Sequence, residues 1–416
     1  YRNKSTHKMT SVFTITLKPI LMLCKCLGII NISYNFGSNG LLVRNTNSTY
    51  YSFFEFTKTV LLVMFTYNIH TKVVFPDYII LYKFWVVIIT SKISETWIIK
   101  LINGIIEYDQ KLTSLPTYLK AQQRQFSKHY WNKIFICTSL YYIVFTFMYL
   151  YLWPIKIMDI TFIILYFIRL SFIVDFTVIV SSYFYLQNVE YRFETLNDLW
   201  KCHTPDPDGL LSIPSECSQY DVAMMMDNIR ILHAELSYIL RIFSQGYGQM
   251  LLGFFVFAYI DISVYIFYSL FYKFSTSTSE DHRTLKKILK ESIPLILNLQ
   301  SIIFVLSIII AASRVNDKRR QIISYLRLTK ISNLSTAIKI QVKMFMNQIS
   351  VFESDEITAY GIFNINLNLV ISVSMHNNTI FIILLIYGLA TMIQMKEHSI
   401  IIQAINTTKV MWLLTT

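Results

Sequence analysis

The sequence predicts an all-α, polytopic membrane protein of seven transmembrane helices, with its amino terminus in the cytosol and its carboxyl terminus outside. Three observations carry this. Hydrophobic residues make up 54% of the chain and charged residues only 15%, with a mean hydropathy of +0.45. Soluble chains carry about 25% charged residues, so this one is apolar beyond the needs of a core. With Gly at 10 and Pro at 8 in 416 residues, turn formers are too scarce for a β-barrel, and helices are the other fold that satisfies its backbone in lipid. No repeat of fixed period supports a soluble helical solenoid. Finally, 24 of the 37 Lys and Arg fall in segments that this threading puts on one side of the membrane, and the positive-inside rule makes that side the cytosol.

Residues 1–51 are expected to form a cytosolic segment, with six basic positions (Arg2, Lys4, Lys8, Lys18, Lys25, Arg44) and no acid. No cleavable signal peptide is expected in it. Its apolar run Leu17 to Ile30, interrupted by Lys18 and Lys25, reads as an interfacial helix. Residues 52–313 hold six spans, at about 52–70, 77–96, 134–153, 160–186, 247–272 and 292–313. Trp153 and Pro154 mark the outer end of the third span, and the short loop after them makes the third and fourth helices antiparallel neighbours. The polar segment Gln187 to Gly246 is placed inside; its second half, Tyr220 to Phe243, is expected to run as a helix into the fifth span. Lys286, Lys287 and Lys290 fall in an outer loop, against the charge rule.

Arg314, Lys318, Arg319 and Arg320 close the sixth span on the cytosolic side, and 314–357 is expected to be a cytosolic helical segment. Residues 358–395 read as a broken seventh helix: apolar, longer than a ~30 Å hydrocarbon layer needs, and interrupted at His376-Asn377-Asn378. Residues 396–416 form an extracellular tail, where the sequon Asn406-Thr407-Thr408 sits.

Within the spans, Arg169 and Asp175 are six apart and lie on different helix faces, so they do not pair with each other. Counted from the outer ends, Arg169 of the fourth span and Asp261 of the fifth lie at similar depth near mid-bilayer. They are expected to pair across the two helices; the alternative is that each faces a water-filled cavity.

Catalytic chemistry is not indicated. No phosphate-cradling glycine loop, Gly-x-Ser-x-Gly elbow or His-x-x-x-His pair occurs, and the five cysteines show no metal spacing. No metal or other cofactor is implied. The net charge of +12 does not point to nucleic acid, because the basic residues flank apolar spans instead of covering a soluble face. A receptor, channel or transporter remains.

Thr358-Ala359-Tyr360-Gly361-Ile362-Phe363-Asn364-Ile365-Asn366 resembles the start of the last helix of insect gustatory receptors. Lys343-Met344-Phe345-Met346-Asn347-Gln348 resembles the preceding cytosolic helix, Leu17-Lys18-Pro19-Ile20 the amino-terminal segment, and His233 to Leu236 the long inner helix. At the end of the seventh span the family carries Thr-Tyr, five apolar residues and Gln-Phe. Here Tyr387-Gly388 precedes five residues and then Gln394-Met395, so the Gln and the spacing are kept.

The resemblance implies a ligand-gated cation channel in the plasma membrane of a chemosensory neuron, four like or mixed subunits around one pore lined by the last helix. It implies that Ile382 and Ile386 close the pore by dewetting and that Gln394 presents an amide near the outer constriction; Gln394 is otherwise an interfacial polar residue ending a span. The partners implied are a small-molecule tastant and the lipid bilayer. Candidate tastant contacts are Tyr149, Trp153, Tyr166, Tyr265 and Asn298, at outer helix halves, where aromatic-belt or packing roles compete. An odorant-type receptor of the same superfamily and a polytopic transporter are the alternatives.

Overall fold

A computed structural model describes residues 12–26, 28–30, 34–44, 49–70, 77–114, 128–152, 171–203, 219–275, 285–328, 335–352, 357–359, 361–366 and 368–369. Among them eight helices follow in order: α1 (Val12–Cys26), α2 (Thr49–His70), α3 (Asp77–Ser114), α4 (Lys128–Leu152), α5 (Ser171–His203), α6 (Gln219–Ser275), α7 (Leu285–Leu328) and α8 (Thr336–Phe352). Two small antiparallel hairpins accompany them: β1 (Tyr34–Phe36) with β2 (Leu42–Arg44), and β3 (Thr358–Ala359) with β4 (Phe363–Asn364).

Helices α2 to α7 overlap the six expected spans, but several continue well past them. α3 runs 18 residues beyond position 96, and α6 is one helix of 57 residues, about 85 Å long at 1.5 Å per residue. The fifth span is thus the end of a longer rod whose first half is polar, as the periodicity of Tyr220 to Phe243 led one to expect. Lys286, Lys287 and Lys290 lie in the first turns of α7, not in a loop. Among the described residues, the stretches Tyr220–Val264 and Leu295–Arg327 are long and apolar enough, by length and composition, to cross a membrane.

The chain divides into two compact units, residues 1–257 with 303–367 and residues 258–302 with 368–416. The first is built around α5, which is buried along nearly its whole described length, from Val174 to Trp200. α3 and α6 cross antiparallel and very close. A Cβ at Gly253 would stand 2.9 Å from the Val86 side chain, and one at Gly246 would stand 3.1 Å from Trp97 Cβ. Glycine is needed there for backbone approach. In the second unit the described parts are the helical residues 258–275, 285–302 and 368–369.

Two expectations need correcting. The amino-terminal helix does not offer its apolar face to a membrane surface: Phe13, Leu17, Ile20, Leu21 and Cys24 are buried within the first unit. Phe13 stacks on Phe184 of α5 at 5.6 Å, and Trp131 of α4 meets the same ring edge-on at 4.9 Å. Protein takes the place of lipid because the apolar stripe finds a complementary aromatic face.

The seventh helix does not begin at 358. Thr358 pairs with Asn364 and Ala359 with Phe363, while Gly361 takes a φ of 73°. The burial of Ile357, Ala359 and Ile365 has the period of two of a strand. A glycine in the left-handed region terminates any helix pattern there. Residues 370–395, including the break at His376, lie outside the described residues.

Candidate functional site

The sequence of α5 would read as a poor membrane helix, since it carries Asp175, Thr177, Ser181, Ser182, Asn188, Arg192, Thr195 and Asn197, all buried. Burying polar groups is tolerable only where each finds a partner. Asp175, Arg192 and Asn197 bond to neighbouring helices, whereas Asn188 and Thr195 bond carbonyls of α5 itself.

At the apolar end, Lys83 of α3 and Asp175 form an ion pair of 2.6 Å with side chains only 5% and 8% exposed. The Lys83 ammonium also lies 5.4 Å from the ring centroid of Phe254 on α6, so one cation ties three helices. Nearby, Ser94 of α3 reaches Gln249 of α6 at 3.4 Å.

Further along, Arg192 donates two hydrogen bonds to the Asp109 carboxylate of α3, 2.9 Å from Nε and 2.6 Å from Nη2, and a third of 2.7 Å to the Asn188 carbonyl. Its guanidinium lies 5.3 Å from the Phe13 ring centroid. This bidentate, stacked arrangement suits arginine and not lysine. Tyr108, beside it, is held in its neutral form by burial, against the pull of Arg192.

Toward the carboxyl end of α5, Lys318 of α7 bonds Glu194 at 3.1 Å, and Asn197 donates to the Lys318 carbonyl at 2.8 Å. Lys111 and Glu235 join α3 to α6 at 2.5 Å. Arg230 of α6 donates to Gln348 of α8 at 2.9 Å, and Gln348 donates back to the Arg230 carbonyl at 3.0 Å. The polar half of the molecule is thus a bundle of α3, α5, α6, α7 and α8 fastened by charged cross-links.

The β3–β4 hairpin seats on α6. The Thr358 amide donates to Ser244 at 3.4 Å, and Phe363 tilts against Phe255 at 5.9 Å. Ser244 and Phe255 are eleven residues apart, about three turns, and so share one face of α6.

Of the residues singled out in the sequence, Asp261 and Asn298 are half-buried in the second unit. Tyr149 and Tyr265 lie in α4 and α6. Arg169, Trp153, Tyr166, Ile382, Ile386 and Gln394 lie outside the described residues. What sequence reasoning missed is the Lys83–Asp175 pair. Measured from the expected outer span ends, the two residues differ in depth by about 13 Å; measured from the inner ends, by about 3 Å. The matched inner distances were the available signal. Among the described residues, no group of His, Cys, Asp and Glu could hold a metal ion.

A family model described as the 7tm chemosensory receptor matches residues 17–390. Among solved structures, the chain is similar to the insect olfactory receptor OR5 from Machilis hrabei, determined in complex with eugenol. The TM-score is 0.55 at 12% sequence identity, over 89% of this chain and 97% of that one, which is a likeness of fold. No curated protein matches the chain. With nearly its whole length matched, the chain belongs to the 7tm chemosensory receptor family, multi-pass membrane proteins that act as ligand-gated ion channels and not as enzymes.

Proposed function

We propose that the chain is a gustatory-type receptor, one subunit of a tetrameric cation channel in the plasma membrane of a chemosensory neuron, opened by a small tastant. The observation that carries the reading is the segment Thr358–Asn366, whose sequence resembles gustatory receptors and whose hairpin is anchored on α6 through Ser244 and Phe255. A hairpin fastened to the longest helix of the bundle moves when that helix moves. In this reading the amino terminus and the polar bundle are cytosolic and the carboxyl terminus extracellular. Ile382 and Ile386 close the pore, Gln394 lines its outer end, and Arg169 pairs with Asp261. Tyr149, Trp153, Tyr166, Tyr265 and Asn298 line the tastant site.

The fold likeness to a receptor solved with eugenol favours a second reading, an odorant-type receptor of the same superfamily. Expression in oocytes with a panel of sugars, bitter compounds and volatile phenols separates the two. Current evoked by non-volatile tastants supports the gustatory reading; current evoked by the volatile compounds alone replaces it with the odorant one. Gln394→Ala is expected to change ion selectivity, and unchanged selectivity removes Gln394 from the pore. Exchanging the charges of Arg169 and Asp261 is expected to preserve surface expression that either single reversal loses.

A further inference from the structure

His233 sits where four helices of the polar bundle meet. It is carried by α6, and its ring lies between Phe193 of α5, at 5.5 Å, and Phe345 of α8, at 5.4 Å, both edge-on. Arg319 of α7 is the charged neighbour and is itself buried. Trp200 of α5 closes on Phe345 at 5.7 Å and extends the aromatic cluster. The residue is 2% exposed, and neither ring nitrogen meets hydrogen-bond geometry. One turn on, the Ser237 hydroxyl is likewise buried and unpartnered.

Such a ring packs well only when uncharged. A proton on it would place a cation beside the Arg319 guanidinium inside a junction closed to water by aromatic rings.

We propose that the His233 junction is a proton-sensitive switch: with the ring neutral it holds α5, α6, α7 and α8 closed, and proton uptake favours a loosened bundle in which the ring meets water. Energetics support the geometry. Burial first, and the Arg319 charge second, hold the imidazole down at about 3, with an approach to the Arg319 backbone opposing both. A hydrated histidine titrates near 6.5. The packed state therefore binds fewer protons than the loosened one. Its stability from this group is fully present above about pH 6.5 and is lost as pH falls from there toward about pH 3. Between about pH 7.4 and about pH 6, these values shift the loosened-to-packed ratio roughly fourfold.

Hydrogen exchange on the full chain in lipid nanodiscs reads this shift directly, corrected for the intrinsic pH dependence of exchange. The amides of 193–203, 229–239, 316–325 and 338–350 are expected to open roughly fourfold more often at about pH 6 than at about pH 7.4, with α2 and α4 unchanged. His233→Gln is expected to abolish that difference. A pH-independent native bundle overturns the proposal, as does a His233→Gln chain that keeps the full response. If His233→Gln fails to assemble, the native measurement alone decides. Patch recordings with acidified solution on the bundle side should show the same ratio in open probability. This last readout rests on the channel reading, whereas exchange does not, so failure of either is distinguishable.

Discussion

Helices α2 and α4 are among the most apolar in the molecule, yet among their described residues most large side chains between Tyr50 and Tyr67 and between Ile136 and Tyr151 face outward: Phe53 is 69% exposed and Phe147 67%. Helix α5 is buried nearly throughout, and a line of polar and charged residues is buried there beside the apolar ones. The arrangement is inverted relative to a water-soluble bundle. It makes sense when the solvent around α2 and α4 is hydrocarbon, which rewards an apolar exterior and gives no advantage to an apolar centre. The comparison teaches that paired polar groups on α5 supply specificity inside this protein, while the exposed faces of α2 and α4 need only be compatible with lipid.

The largest test of that contrast is Asp175→Ala. It leaves the buried Lys83 ammonium without the Asp175 carboxylate and should cost about 3–5 kcal/mol. The readouts are surface-biotinylated receptor and melting temperature in detergent, with Lys83→Met/Asp175→Leu recovering most of the loss. A single variant that melts like the native chain would show α5 to be no more a core than α2.

Next is Arg192→Met, which removes the bidentate link to Asp109 and should cost about 2–3 kcal/mol by the same melting assay. Gly253→Val forces α3 and α6 apart at Val86 and should cost about 1–3 kcal/mol, with Val86→Ala restoring part of it. At the small end, Phe147→Leu on the exposed face of α4 should change stability by less than about 0.5 kcal/mol. A large loss there would mean that protein, not lipid, covers α4.

The polar half of the same comparison explains the misreadings. Gln187 to His203 looked like the beginning of a polar segment because its residues are Asn188, Glu190, Arg192, Glu194 and Asn197. In the structure it is the continuation of α5, where Arg192 pairs with Asp109 and Glu194 with Lys318 from other helices. Periodicity found the helix Tyr220 to Phe243 because that stretch has apolar residues at helical spacing. Gln187 to His203 carries the same pattern, with Val189, Phe193, Leu196 and Trp200 at helical spacing and all buried, but the charged residues between them mask it. The Thr358–Asn364 hairpin was misread as helix for a related reason: it is short, apolar and adjacent to a long apolar run, and Gly361 was the signal against it.

Hydropathy, basic-residue placement and the residues from Thr358 to Asn366 by themselves determined that this is a helical membrane protein, where apolar helices overlapping α2 to α7 fall, and which receptor superfamily it resembles. Those properties are local, because each depends on how a stretch of about 20 residues partitions between water and hydrocarbon. The tertiary structure alone decided that α5 is the centre of the first unit, that Lys83 of α3 pairs with Asp175, and that α1 packs on protein. Transfer into an apolar phase has nearly the same free energy whether that phase is lipid or protein interior. Only the neighbours brought together by folding distinguish the two.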